Sequence, residues 1–426
     1  MFQQPARACG IDFGTSNSTL GWLNPGAPTL IALEDDKPTL PSAVFFNADE
    51  DSICFGREAL GEYLDGYEGR LMRALKTLLG SSLMDGHTEV LGRRLPFRDL
   101  LRHFIAELKR RGEAGAGRVF DHAVFGRPVQ FVDDDPVADR LAEDTLAQIA
   151  HAIGFREVSF QFEPIAAAFH YEQSLSTEEL VLIADIGGGT SDFSLVRLSP
   201  VRAKQAERRD DLLANAGVHI GGTDLDRAFN LAQIMPLLGF RSKKKNGNEL
   251  PATPFFNLAT WHTINFCYTR AAWTEFQDMY RDAAERDKLE LLLNLVSERA
   301  GHWLSLQVEE AKIALSEQAE VMLDLGRLHR KAGVVAPPRI ARADFDLAIA
   351  ALVNRVGETV ETMLASAGVD KARIDTVFFT GGSSGVPALR QRIAAAVPNA
   401  RAVEGDLFGS IGAGLAVEAA RRYGCA

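Results

Sequence analysis

The sequence predicts an α/β protein built from two similar lobes, and three observations predict it. An apolar strand that delivers an aspartate into a glycine turn with hydroxyls occurs as Gly10-Ile11-Asp12-Phe13-Gly14-Thr15-Ser16-Asn17-Ser18-Thr19-Leu20. It occurs again as Ile183-Ala184-Asp185-Ile186-Gly187-Gly188-Gly189-Thr190-Ser191-Asp192-Phe193-Ser194-Leu195-Val196. Around both copies, strand-like and helix-like segments alternate. The 426 residues, 46% hydrophobic and 24% charged, suit a globular chain of two or three domains.

Each copy reads as strand, tight turn and returning strand. Glycines let backbone approach a ligand closely, and turn amides with the hydroxyls of Thr15, Ser16, Thr190 and Ser191 can bind phosphate oxygens. Asp185, at the strand end, can hold Mg2+ through water, because that ion keeps several waters and takes few carboxylates. One such turn suits an empty hairpin equally well. Two copies about 170 residues apart suggest two lobes, each offering a phosphate hairpin to a shared cleft.

The remaining elements follow in order. Residues 8–33 hold two or three strands, and Thr39 to Phe46 is a proline-led strand. Arg70 to Gly80 has helical apolar spacing with a glycine stop and carries Lys76, which is ambiguous on pattern alone, since a lone lysine on such a helix is usually a solvated surface charge. Phe97 to Arg111 is an amphipathic helix, Glu113 to Gly117 a loop, and His122 to Val129 a strand ended by Pro128. A helix from about Ala138 to Ile153 and a strand around Val158 to Phe160 come next. Glu163-Pro164-Ile165-Ala166-Ala167-Ala168 opens a helix, with Pro164 suited to the first turn and Glu163 to the positive end of the dipole.

After the second hairpin, His219-Ile220-Gly221-Gly222-Thr223-Asp224-Leu225-Asp226 ends a strand and opens a helix at Thr223 or Asp224; Gly221 and Gly222 there are either a phosphate contact or a capped loop. Arg241 to Pro254 is a basic solvated loop. Phe255 to about Gln318 is strongly helical, with Trp261, Phe266, Tyr268, Trp273, Phe276 and Tyr280 as core aromatics or a partner face. Within it Glu309, Lys312 and Ser316 share one helix face, as a polar recognition ridge or a surface Glu-Lys pair. Val335 to Pro338 is a turn, and Arg342 to Ala367 a long helix stopped by Gly368. Asp375 to Ser384 is a buried strand running into Gly381-Gly382-Ser383, whose glycines let a flat ring or sugar lie on the backbone. Pro387 to Ala396 is a helix, and Gly409 to Ala416 starts a small-residue helix suited to tight packing.

A formal net charge of -11 leaves no excess of Lys and Arg for nucleic acid. Cys9, Cys54, Cys267 and Cys425 are too dispersed for a metal knuckle or redox pair and read as reduced thiols of a cytoplasmic protein. No stretch approaches the roughly 18 apolar residues of a membrane span, and Met1 to Arg7 has no signal-like apolar core.

In this order, the motifs resemble the nucleotide-binding domain of the Hsp70 chaperones, within the actin-like ATPase superfamily. Ile11 to Ser18 and Asp185 to Asp192 match its two phosphate motifs; Glu163 to Ala168 and Ser410 to Gly414 resemble its connecting helices. Thr380 to Ser383 resembles its adenosine motif, and His219 to Asp226 is also characteristic. The resemblance covers nearly the whole chain. It implies the actin-like ATPase fold, with two duplicated RNase H-like lobes around a nucleotide cleft. Lobe I is 1–174 plus 402–426 with an insert at about 35–103, and lobe II is 175–401 with a largely helical insert at about 221–347.

The resemblance further implies Mg-ATP binding and slow hydrolysis. Lys76 would contact the γ-phosphate and attacking water; Glu163 would organise the water and the Mg2+ shell; Asp12 and Asp185 would hold the metal through water. Gly14, Thr15, Ser16, Asn17, Gly187, Gly188, Gly189, Thr190 and Ser191 would cradle phosphates. Gly221, Gly222, Glu309, Lys312, Ser316, Gly381, Gly382 and Ser383 would complete the ATP or ADP site. Pro128 resembles the family's hinge proline, with Arg140 as its partner. Protein clients or co-chaperones are the implied partners, with no nucleic acid and no membrane.

Two departures stand out. Ile313 and Gly385 occupy places where the family sets arginine stems against adenine, which implies weaker adenine binding or relaxed selectivity. The chain also ends about where the family's linker and peptide-binding domain begin, so it resembles the truncated Hsp70-like chaperones of the YegD type. An acceptor-dependent small-molecule kinase and a filament-forming actin-like protein remain the alternatives on this fold.

Overall fold

The computed structural model describes residues 7–24, 27–132, 135–205, 208–328, 337–406 and 409–424. The chain divides into two compact units, one of residues 1–219, 359–384 and 394–426, the other of 220–358 and 385–393.

The first unit holds two sheets of the same design. The first sheet starts as an antiparallel meander, β1 (Ala8–Phe13), β2 (Asn17–Asn24) and β3 (Ala27–Leu30). The chain then leaves it for a small sheet in which β4 (Ala43–Asn47) pairs antiparallel with β5 (Gly69–Arg73). It returns as β6 (His122–Arg127) and β7 (Glu157–Phe162), parallel to β1 and giving the order β7-β6-β1-β2-β3. The second sheet repeats the plan. β8 (Glu179–Ile186), β9 (Ser191–Leu198) and β10 (Leu212–Val218) form the meander, and β11 (Thr376–Thr380) and β12 (Arg401–Glu404) add on parallel, in the order β10-β9-β8-β11-β12. Two sheets, each a meander extended by two parallel strands, are the duplicated α/β architecture of an actin-like ATPase fold.

The central strand of each sheet, β1 or β8, turns an apolar face into a core. Cys9, Ile11 and Phe13 of β1 join Phe104, Phe120 and Phe125 in one core, while Val181 and Ile183 of β8 pack with Val196, Leu198 and Phe378 in another. The helices Glu163–Ala167 and Ser410–Tyr423 cross at small residues. A Cβ on Gly414 would lie 2.0 Å from the carbonyl oxygen of Ala166, so only glycine permits that approach. The Arg208 guanidinium, 4% exposed, binds both oxygens of buried Glu172 at 2.7 and 3.0 Å, tying the helix Phe169–Gln173 to the chain beyond β9.

The second unit is mostly helical over Thr253–Leu258, Trp261–Tyr268, Arg270–Asp282, Arg286–Ser297 and Gly301–Glu317, as the pattern from Phe255 to Gln318 predicts. Phe276 is core and Phe266 is 61% exposed, so the aromatic series divides between interior and surface.

Three local expectations are corrected. Arg70–Gly80 is not a helix: Gly69–Arg73 is strand β5 and a 3-10 turn covers Leu75–Leu78. Pairing with β4 overrides the helical spacing, and Ala74, at φ 54°, makes the corner between strand and turn. Thr39 to Phe46 is not one strand; it breaks at Ser42 into Thr39–Pro41 and β4. Glu113 to Ala116 is not loop, because the helix Phe97–Ala116 continues to Gly117, whose φ of 64° ends it.

The first half of the turn expected at Val335 to Pro338 lies outside the described residues, as does Cys425. Cys9, Cys54 and Cys267 are free and buried. Burial pushes the Cys54 and Cys267 thiols up to about 12, which keeps them protonated and unreactive. Among the described residues no helix is long and apolar enough to cross a membrane.

Candidate functional site

In the first unit, the strand pairs β1–β2 and β8–β9 bring their turns together. A Cβ on Gly188 would meet Ser16 Oγ at 2.2 Å, so the tip of the second hairpin touches the side chain of the first. In the second hairpin the Gly187 amide donates to the Thr190 carbonyl at 2.9 Å, and the Thr190 hydroxyl donates to Asp192 Oδ2 at 2.7 Å. Asp192 faces Asp185 across the β8–β9 ladder. In the first, Gly14 sits so close to the Asn17 carbonyl that a Cβ would lie 2.1 Å from it. Thr15, Ser16 and Asn17 are half-buried around that turn; Gly189 opens to free space, and Ser191 is fully buried.

Behind the turns lies a cluster of charge. Lys76 Nζ is 2.5 Å from Glu163 Oε1, and each side chain is only 12% exposed. Lys76, ambiguous from pattern alone, is therefore largely buried, delivered there by the corner at Ala74. Burial would lower its pKa, yet Glu163, Asp12 and Asp185 together raise it, so Lys76 stays charged. Asp12 is pushed up to about 7 by burial and then by Glu163, with Lys76 opposing. Asp185 is pushed up to about 8 by burial, then by Asp192, Glu163 and Asp12. Three largely buried carboxyl groups stand around one ammonium, and that oxygen-only donor set fits a hydrated divalent cation, whose charge would favour their ionised forms.

Gly381 supports this floor. Its φ is +81°, and a Cβ there would meet Asp185 Oδ1 at 2.4 Å and the Ile186 carbonyl at 2.5 Å. Its own carbonyl accepts from the Ser384 amide at 3.0 Å and hydroxyl at 2.8 Å. Gly382 is exposed and Ser383 buried beside it.

In the second unit, the polar ridge takes a different form from a surface Glu-Lys pair. Lys312 is 6% exposed; its Nζ lies 2.9 Å from Asp226 Oδ2 and 3.4 Å from the Gly222 carbonyl. Burial lifts Asp226 to about 6, against the pull of Lys312, and Asp226 Oδ1 has no hydrogen-bond partner among the described residues. The Ser316 hydroxyl donates to the Lys312 carbonyl at 3.2 Å, and Glu309 stays half-buried on the same helix. Gly221 donates its amide to Asp224 Oδ2 at 3.0 Å, capping the helix Gly222–Phe229. Ile313 is 58% exposed.

Asp192 and Asp226 lie within the motifs with no role assigned from the sequence: Asp192 is bonded locally by Thr190, and Asp226 is reached by Lys312 from another helix. The arginine that reaches Pro128 is Arg127 rather than Arg140. Arg127 Nε donates to the Pro128 carbonyl at 3.0 Å, its Nη2 lies 2.9 Å from Asp139, and Nη1 pairs with Glu143. Arg140 is exposed.

The profile of the family described as "Hsp70 protein" matches residues 8–233 and 284–420. The chain belongs to the Hsp70 family. Among its Hsp70 relatives it is similar to the "Chaperone protein DnaK" of two strains of Thermus thermophilus, each 26% identical over 410 residues. The match takes in 91% of this chain and 56% of the relative, so the chain spans about half the length of the curated relatives it matches. The matched segments of this Hsp70 chain include both hairpins, Lys76, Glu163, Glu309, Lys312 and Ser316, and the Gly381 turn.

Proposed function

We propose that this Hsp70 chain binds Mg-ATP and hydrolyses it slowly, as a chaperone or chaperone-related ATPase. The observation that carries the reading is the buried Lys76–Glu163 pair standing beside the raised-pKa carboxylates Asp12 and Asp185, under two hairpins whose tips touch. Asp12 and Asp185 would hold Mg2+ through water. When bound, that ion supplies charge that stabilises phosphate oxygens.

The chain's own groups do the rest. Amides of Gly14, Asn17 and Gly187 to Gly189, with the hydroxyls of Thr15, Ser16, Thr190 and Ser191, would bind the phosphates. Glu163 holds the Lys76 ammonium in place and would orient the attacking water. Lys76 would offset charge developing on the γ-phosphoryl oxygens, and such positioning plus electrostatics is most of what phosphoryl transfer asks of a protein. In the first unit Gly381, Gly382 and Ser383 are proposed adenosine contacts; in the second, Glu309, Lys312 and Ser316 are proposed for ribose and adenine, and Gly221 and Gly222 for phosphate. The lobes are proposed at 1–174 plus 402–426 and 175–401, with their movement as the output and protein clients or co-chaperones as partners.

The test is phosphate release from Mg-ATP without any acceptor, in the wild type and in Lys76→Ala, with ATP binding measured by calorimetry. A release rate that falls on the order of 100-fold in the variant, with binding retained, is the expected result. A wild type that binds Mg-ATP and releases no phosphate would overturn hydrolysis.

A further inference from the structure

The two hairpins are braced differently, and the brace of the first is a residue outside every motif. Ser42 is 2% exposed and stands where the strand pairing breaks, between Thr39–Pro41 and β4. Its hydroxyl donates to the Gly14 carbonyl at 2.7 Å, and its amide donates to the Ser16 carbonyl at 2.9 Å. It thus grips both ends of the Gly14-Thr15-Ser16 turn. The Ser18 hydroxyl lies 3.0 Å from Ser42 Oγ. A serine hydroxyl has one proton, and that of Ser42 goes to Gly14, so Ser18 is the donor in this contact.

The next residue connects this grip to Lys76. Ala43 pairs with Arg73 at the end of β5. Ala74 follows in the left-handed region, at φ 54° and ψ 41°, and its carbonyl accepts from the Thr77 amide at 3.1 Å and hydroxyl at 2.8 Å. That corner places Leu75 in the core and turns Lys76 onto Glu163. From the Gly14 turn through Ser42, Ala43, Arg73 and Ala74 to Lys76, every link is a backbone step or a hydrogen-bonded contact.

We infer that Ser42 is a positioning residue that holds the first phosphate turn in register with Lys76. It touches neither the proposed nucleotide nor Lys76. It acts by fixing two carbonyls of the turn, which aims the turn's amides and the hydroxyls of Thr15 and Ser16 at one point relative to the Lys76 ammonium. The inference deepens the nucleotide reading above, and its kinetic arm rests on that reading.

The experiment compares wild type, Ser42→Ala and Ser42→Thr by hydrogen exchange of residues 13–18, thermal melting, and phosphate release across Mg-ATP concentrations. Losing one intramolecular hydrogen bond commonly costs a factor of about five to ten in a local equilibrium. Ser42→Ala is expected to speed exchange in residues 13–18 about fivefold or more and lower kcat about tenfold, with KM changed less and melting still well above assay temperature. Ser42→Thr keeps the hydroxyl and is expected to restore exchange and kcat to within about threefold. A folded Ser42→Ala with wild-type exchange, or one that melts earlier while kcat and KM stay within about twofold, overturns the inference. If the wild type releases no phosphate, the nucleotide reading fails instead, and the exchange of residues 13–18 alone decides whether Ser42 holds the turn.

Discussion

The two phosphate-type hairpins share a sequence plan and differ in how they are held. The second carries bonds within its own turn: Gly187 bonds Thr190, Thr190 bonds Asp192, and Asp192 lies opposite Asp185 in the same ladder. Its outside support is backbone, the close approach of Gly381 beneath Asp185. The first turn instead depends on Ser42, 28 positions from Gly14, and through it on the small sheet that delivers Lys76. One hairpin is a local structure resting on a floor; the other is coupled to an inserted subdomain. Damage to the second should therefore appear as lost stability, and damage to the first as altered chemistry in a folded protein.

The largest break in this contrast is Gly381→Ala. The new methyl meets Asp185 Oδ1 and two atoms of the Ile186 carbonyl, and φ +81° is unfavourable for any side chain. Overpacking against backbone together with left-handed strain predicts a loss of about 3 kcal/mol, read by urea unfolding. Gly189→Ala is the control: nothing lies within 4 Å of its Cβ, so stability should stay within about 0.5 kcal/mol of wild type. If phosphate rests on that glycine as proposed, the control should nevertheless weaken Mg-ATP binding. An unchanged affinity would move the phosphate away from Gly189.

Next comes a pH dependence shared by both strand ends. Asp12 and Asp185 have folded pKa values raised from 3.8 to about 7 and about 8. A raised carboxylate adds stability fully below its unfolded value, and that stability is lost as pH rises through the folded one. The metal-free protein should therefore lose stability between about pH 4 and pH 8 on account of these two groups. A divalent cation offsets the same charge, so the gain in melting temperature from Mg2+ over EDTA should widen from pH 6 to pH 9. A gain that stays flat, or shrinks, would separate the ion from these aspartates.

How much of this could be read in the sequence follows from the same contrast. Both hairpins were legible, because strand, aspartate, glycine turn and hydroxyls are contiguous in the sequence. The helix opening near Thr223 and the small-residue helix from Gly409 were legible for similar reasons, though the partner of Gly414, Ala166, was not. What stayed hidden depends on pairing across the chain. Arg70 to Gly80 imitates a helix, since Leu71, Leu75, Leu78 and Leu79 fall at helical spacing; only the ladder with Ala43 to Asn47 makes its first half a strand. That same ladder turns Lys76 from a surface charge into a buried one. Ser42 is an ordinary serine after a proline until the Gly14 carbonyl is seen against it. Lys312 reads as one partner of a helical pair until Asp226, on another helix, takes it.

The smallest expected effect tests whether the two turns meet at all. In Gly188→Ala the methyl is opposed chiefly by Ser16 Oγ, the mobile end of a short side chain, with Ser16 Cβ at 3.3 Å. A rotamer change relieves most of that clash, so the loss should be no more than about 1 kcal/mol. In Gly188→Ala combined with Ser16→Ala the obstructing atom is gone, and the effect of the glycine change should shrink toward zero. Coupling of this kind is expected only between residues in contact. Additive losses in the double variant would mean that the tips stand apart in solution, and the phosphate groups of one nucleotide would then have to be held by one hairpin at a time.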